Sequence, residues 1–108
     1  MASPINTFKT VTANLTTTST AIYTAPSNAD TIVLMAQISN ITTGNANVTA
    51  AYYSSGVSTE LVKDFTIPGN DALSVLTGKL VIEDGKSFYA SCSANSTCKI
   101  VMSILETQ

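Results

Sequence analysis

The sequence predicts an all-β protein, a single antiparallel β-sandwich that is jelly-roll-like and built from about eight short strands. Three observations predict it. Hydrophobic residues make up 44% of the chain but charged residues only 11%, against an average near 25%. The polar remainder is dominated by Thr, Ser and Asn, so the chain lacks the Glu, Lys and Arg that coat the outer faces of helices. Short alternating apolar runs are separated by turn-forming residues roughly every 8–12 positions, the spacing of a sandwich. At 108 residues the chain is about one domain long and can bury roughly two-thirds of the surface that its unfolded form exposes.

Residues 1–20 are poor in large apolar side chains and end in a run of Thr and Ser, leaving Phe8, Val11 and Leu15 as anchors. Such a segment suits an N-terminal arm that adds an edge strand to a neighbouring subunit, or an edge strand of its own domain. In the first case Phe8, Val11 and Leu15 are the candidate subunit contacts. The sandwich domain itself is expected over residues 21–108.

Residues 21–24 form a short apolar strand, and residues 26–30 a polar corner opened by Pro26. The longest apolar run follows, at residues 31–39. Alternation from Ile32 puts Ile32, Leu34, Ala36 and Ile38 on an apolar face, and Val33, Met35, Gln37 and Ser39 on a face that turns polar. That pattern places the strand in the middle of a sheet. After a turn at residues 41–45 containing Gly44, residues 46–53 alternate Ala46, Val48, Ala50 and Tyr52 against Asn47, Thr49, Ala51 and Tyr53. They are expected to pair antiparallel with the central strand. Residues 54–59 hold Gly56 and make the next loop. Residues 60–67 keep Leu61, Phe65 and Ile67 in phase, and a bulge near Lys63 and Asp64 reconciles those charges with a sheet edge.

Residues 65–76 echo residues 23–34, matching at an aromatic residue, Thr, Pro, Asn, Val and Leu. A shared physical need explains the match as well as duplication does. Proline ends backbone pairing, small polar residues make a corner, and the chain crosses to a second sheet. Residues 72–76 and 79–83 are further strands, the second with Leu80 and Ile82 inward. Asp84-Gly85 is the strongest hairpin-type turn signal in the chain. Residues 87–93 carry Phe88, Ala90 and Cys92 inward, and residues 98–105 carry Cys98, Ile100, Met102 and Ile104.

The two cysteines bracket five residues. If those form a hairpin loop, Cys92 and Cys98 face each other at its base and can form a disulfide. Their phase with core positions, Cys92 with Phe88 and Ala90 and Cys98 with Ile100 and Met102, better supports reduced, buried thiols in a protein that stays in the cytosol.

No residue set is built for catalysis. The chain has no histidine, which removes the usual general base and the commonest zinc ligand. Glu83 and Asp84 sit at a turn, and Asp30, Asp64 and Asp71 at corners or edges, where turn roles suffice. There is no Asp-rich calcium loop, no glycine-rich phosphate loop and no GxSxG elbow. No catalytic residue, cofactor site or metal site is predicted, and the chain is not expected to be an enzyme. Its net charge is -2, and its five basic residues are scattered lysines, Lys9, Lys63, Lys79, Lys86 and Lys99. That argues against a nucleic-acid groove. No apolar stretch approaches the ~18 residues of a membrane helix, and the N-terminus carries no signal of secretory type. Asn14, Asn40, Asn47 and Asn95 open Asn-X-Ser/Thr triplets, expected by chance in such a composition and expected to be silent. Tyr23, Tyr52, Tyr53 and Tyr89 suit either a carbohydrate-binding face or core rims and subunit contacts.

Several stretches together carry a family resemblance: Ile22-Tyr-Thr-Ala-Pro26, Thr31-Ile-Val-Leu with Gln37-Ile-Ser-Asn40, Lys63-Asp-Phe-Thr-Ile-Pro68, Leu80-Val-Ile-Glu-Asp-Gly85, and Ser103-Ile-Leu-Glu106. Over residues 20–106 the chain resembles small virion structural proteins of tailed bacteriophages, mostly jelly-roll or related sandwich modules. The resemblance implies assembly and carries no catalytic residues. It makes a capsid decoration or cement protein, bridging and stabilising neighbouring capsid subunits, the first expectation. The partners implied are the major capsid protein or other virion proteins and further copies of the chain, with no nucleic acid and no membrane. The expected location is the virion, assembled in the host cytoplasm. A neck, tail or fibre module is the alternative, and a carbohydrate-binding module using the tyrosines a second one.

Overall fold

The structure, a computed structural model, describes residues 6–107. Its nine strands are β1 (Asn6–Asn14), β2 (Thr20–Thr24), β3 (Asp30–Asn40), β4 (Ala46–Ser54), β5 (Val57–Ile67), β6 (Ala72–Ser74), β7 (Leu80–Ile82), β8 (Ser87–Cys92) and β9 (Cys98–Thr107). They form two antiparallel sheets. One runs β1-β9-β3, with β6 and β7 both pairing along the far side of β3; the other runs β2-β8-β4-β5. This is the strand order of a jelly roll: all but two of the connections pass from one sheet to the other.

The core lies between the sheets. Phe88 fills its centre from β8, with Ile38, Ile82, Ile100, Met102 and Ile104 against it from the five-stranded sheet, all at 0% exposure. Each such large side chain contributes roughly 1.5–3 kcal/mol relative to remaining in water.

The two proline corners are the same structure. β2 leaves the four-stranded sheet at Pro26 and β5 leaves it at Pro68, and both chains enter the five-stranded sheet. In each corner the amide three residues on donates back to the proline carbonyl, Ala29 to Pro26 and Asp71 to Pro68, both at 3.2 Å. Asn28 and Asn70 take the left-handed position of the turn, at φ 64° and 58°, which asparagine tolerates better than most residues. At the second corner Gly69 is required, because a Cβ there would overlap the Thr43 backbone.

The edge bulge expected near Lys63 and Asp64 is present. Pairing of β5 with β4 shifts register between Val48↔Phe65 and Ala50↔Val62, and Asp64 adopts φ 47°.

Four expectations are corrected. β3 is central, but a bulge between Val33 and Met35 reverses its phase. Thr31 and Val33 point inward before the bulge and Ala36, Ile38 and Asn40 after it, so Ile32 and Leu34 face outward. β4 pairs with β5 and β8 in the opposite sheet, not with β3. Asp84-Gly85 does make a turn, with the Lys86 amide donating to Glu83 and Gly85 at φ 75°. It joins β7 and β8 across the two sheets and is no hairpin. The tight hairpin is β4 to β5, where Ser55 and Gly56 both have positive φ, the twist that suits a two-residue loop. Residues 93–97 likewise connect strands of opposite sheets.

Candidate assembly surface

Two groups of polar side chains, around Asn40 and around Glu106, hold the two ends of the sandwich. At one end Asn40, 2% exposed, joins the β3–β4 loop to the second proline corner. Its Nδ2 donates to the Gly44 and Ile67 carbonyls at 2.7 and 2.9 Å and lies 3.3 Å from that of Pro68. Its Oδ1 accepts from the Thr42 amide and hydroxyl at 3.0 and 2.8 Å. Every polar group of the side chain is used, and none is left for glycosylation.

At the other end four strands meet through Glu106. The Tyr23 hydroxyl on β2 donates to Glu106 Oε2 on β9 and lies 2.8 Å from the Thr31 hydroxyl on β3. Lys9 Nζ on β1 is 2.9 Å from Glu106 Oε1. Tyr23's hydrogen bond and then Lys9 hold the Glu106 carboxyl below its ordinary value. Burial and then Glu106 push the Tyr23 phenol up to about 12. This group clamps the sheets together, with neither acid nor base free near neutral pH.

Cys92 and Cys98 are free thiols in the core, their sulfurs 3.2 Å apart. Burial, then the neighbouring Cys92 thiol, pushes Cys98 up to about 12, which deprives it of nucleophilic thiolate. No cluster of three metal-ligating side chains is found among the described residues. No helix there is long and apolar enough to cross a membrane.

The tyrosines do not line one face. Tyr23 and Tyr52 pack against the core, Tyr52 standing opposite the buried Phe88. Tyr53 and Tyr89 pair with ring centroids 4.6 Å apart, Tyr89 on the outer face of the four-stranded sheet.

What the surface does offer is apolar. The outer face of the five-stranded sheet carries a row across four strands: Phe8 on β1 opposite Leu105 on β9, Leu105 opposite Ile32 on β3, and Ile32 opposite Val81 on β7. Phe8 is 73% and Val81 53% exposed. Leu34 and Met35 at the β3 bulge, and Val101 farther along β9, are further partly exposed apolar residues of this sheet. Of the three residues expected as subunit contacts, Phe8 lies in the row, Val11 is half-buried against the core, and Leu15 is wholly inside it. Ile32, Leu34 and Val81 had no part in the expected contact segment, because only the register of three strand pairs brings them beside Phe8.

No family model matches the chain, and no curated protein matches it. Among solved structures it is similar in fold to a Bacillus endospore appendage protein of a family of disulfide-linked pili. The TM-score is 0.54 at 16% identity, over 94% of this chain and 86% of that one. Weaker similarity extends to the VP2 subviral particle of infectious bursal disease virus, with a TM-score of 0.49 at 8% identity, 96% of this chain covering 32% of that one.

Proposed function

We propose that this chain is a non-enzymatic structural subunit of a virion, a decoration or cement protein that bridges neighbouring capsid subunits. The observation that carries the proposal is the apolar row Phe8, Leu105, Ile32 and Val81 on an otherwise weakly charged sandwich. The row is exposed at its ends, Phe8 and Val81, and half-buried at Leu105 and Ile32 between them, and apolar surface that adjoins across strands in this way marks an interaction site. The internal use of Asn40, Tyr23 and Glu106 supports a rigid module that offers its surface for contact and keeps its polar groups for its own fold. Repeated over a shell, modest interfaces of roughly 1,000 Å² or more combine to resist expansion. The narrower assignment to tailed phages draws on the sequence resemblance of residues 20–106.

Particles assembled without the chain are expected to release their contents at a lower temperature than complete particles, with resistance restored on adding the purified chain. Substituting Phe8→Ser together with Val81→Ser should abolish the restoration. Equal heat resistance with and without the chain would overturn the proposal.

A further inference from the structure

The four sheet edges of this sandwich are not alike. β2 is five residues long and its pairing with β8 shifts register between Ala21 and Tyr23. β5 is bulged against β4 and carries Glu60, Lys63 and Asp64, the last at φ 47°. The far edge of the five-stranded sheet is split into β6 and β7, three residues each. Shortness, bulges and charge are the devices by which sheet edges avoid pairing with other chains. β1 has none of them. It runs nine residues in unbroken register against β9, and its lone charge, Lys9, is turned to Glu106 of its own sheet.

The hydrogen-bonding groups on its free side can be assigned. The Leu15 amide donates to the Cys98 carbonyl at 2.9 Å, in the register that continues Asn14↔Lys99. In an antiparallel ladder, bonded residues alternate, so the odd-numbered residues of β1 bond to β9. Asn6, Phe8, Thr10, Thr12 and Asn14 therefore turn their amides and carbonyls away from the sheet.

We infer that this edge pairs with β1 of a second copy, antiparallel about a two-fold axis at Thr10, joining the two five-stranded sheets into one. The strand is complementary to itself in that register. All nine residues overlap, with Thr10 opposite Thr10, Phe8 opposite Thr12 and Asn6 opposite Asn14, so every outward backbone group gains a partner. Lys9 falls opposite Val11 and the two lysines are not juxtaposed, which avoids the like-charge pair that destabilises a strand pairing. Phe8 gains the Thr12 methyl of the second copy as its neighbour, which accounts for an aromatic ring so exposed on an edge strand. A closed, isologous dimer is the commonest form of symmetric association. The inference deepens the assembly reading above and rests on it for its biological use.

The test is the molar mass of the purified full chain by light scattering over a range of concentrations, with variants that read the edge. The parent chain should show twice the monomer mass. Thr12→Pro, which removes an outward amide and no bond to β9, should give a folded monomer that melts where the parent does once diluted to its monomer. Under mild oxidation Thr10→Cys should yield an interchain disulfide on a non-reducing gel, while Thr59→Cys on the bulged β5 edge should not. If Thr12→Pro melts below the diluted, monomeric parent, the Thr10→Cys cross-link decides alone. A monomeric parent at every concentration, a dimer indifferent to Thr12→Pro in a fully folded variant, or absence of the Thr10→Cys cross-link overturns the inference. A monomer that still protects particles from heat overturns edge pairing only; a dimer without effect on particles overturns the particle role only.

Discussion

Cys92 and Cys98 bring their sulfurs within 3.2 Å of each other although their strands belong to opposite sheets. The loop between them is a crossing point of the jelly roll, and the two thiols meet across the core at 5% and 0% exposure. Burial raises Cys98, and thiolate is the reacting species in alkylation and disulfide exchange. The pair is therefore expected to be inert while the fold is intact. An aromatic disulfide reagent should label the native protein at least ~100-fold more slowly than the urea-unfolded protein. Equal rates would show that this end of the sandwich opens freely.

Asn40 is the polar counterpart of that apolar meeting. Asn40→Ala leaves the Ile67 carbonyl buried without its donor and deprives the Thr42 hydroxyl and amide of their acceptor. With about 1–3 kcal/mol for each buried group left unpaired, an overall loss of about 2–4 kcal/mol is expected in urea unfolding. Asn95→Ala removes a single exposed bond to the Thr17 amide and should cost less than about 1 kcal/mol.

Gly69 and Gly44 face each other's loops but differ in the space they have. A Cβ on Gly69 meets the Thr43 backbone, whereas one on Gly44 meets nothing within 4 Å. Gly69→Ala should destabilise by about 1–3 kcal/mol, the usual cost of forced overlap, and Gly44→Ala by less. A thermal melt of the two variants compares them directly; equal melting temperatures would mean that the corner yields without strain.

The proline corners were legible because each is set locally. Pro26 and Pro68 stop pairing, and Asn28 and Asn70 supply the left-handed residue two places on, so the same residue types in the same order make the same turn. The Lys63–Asp64 bulge was legible for a similar reason, since charge within an apolar strand marks an edge. What escaped the sequence depends on partners far along the chain. The extra residue at Leu34–Met35 appears only in register against Ser103 of β9, and without it the faces of β3 before the bulge are exchanged while those after it stay as they are. Asp84-Gly85 has the chemistry of a tight turn in either setting, and only the sheet joined by the next strand separates a hairpin from a corner. In the candidate surface Phe8 could be singled out as an anchor. Its neighbours Leu105, Ile32 and Val81 come from three other strands, and no local periodicity links them.

The same distance in sequence hid the clamp at Glu106, whose titration gives the last prediction. Tyr23 and Lys9 hold its carboxyl below the ordinary value of 4.5. A carboxylate depressed by folding contributes stability that is complete above the unfolded value and is lost as pH falls through the folded one. Tyr23 behaves in the opposite sense. Its folded value of about 12 lies above the ordinary 10.0, so its contribution is complete below about pH 10 and is lost as pH rises from there through about 12. Urea midpoints measured across pH should hold a plateau between roughly pH 5 and 10 and fall on both sides, with other ionising groups adding to each fall. Subtraction isolates the clamp. Glu106→Gln should flatten part of the acid limb and Lys9→Ala a smaller part; Tyr23→Phe, which removes the first hold on the carboxyl while leaving Lys9 on Glu106, should flatten part of both limbs. If Tyr23→Phe parallels the parent from pH 10 to 12, the phenol is not held against the carboxylate in solution, and β2 and β9 are not joined there.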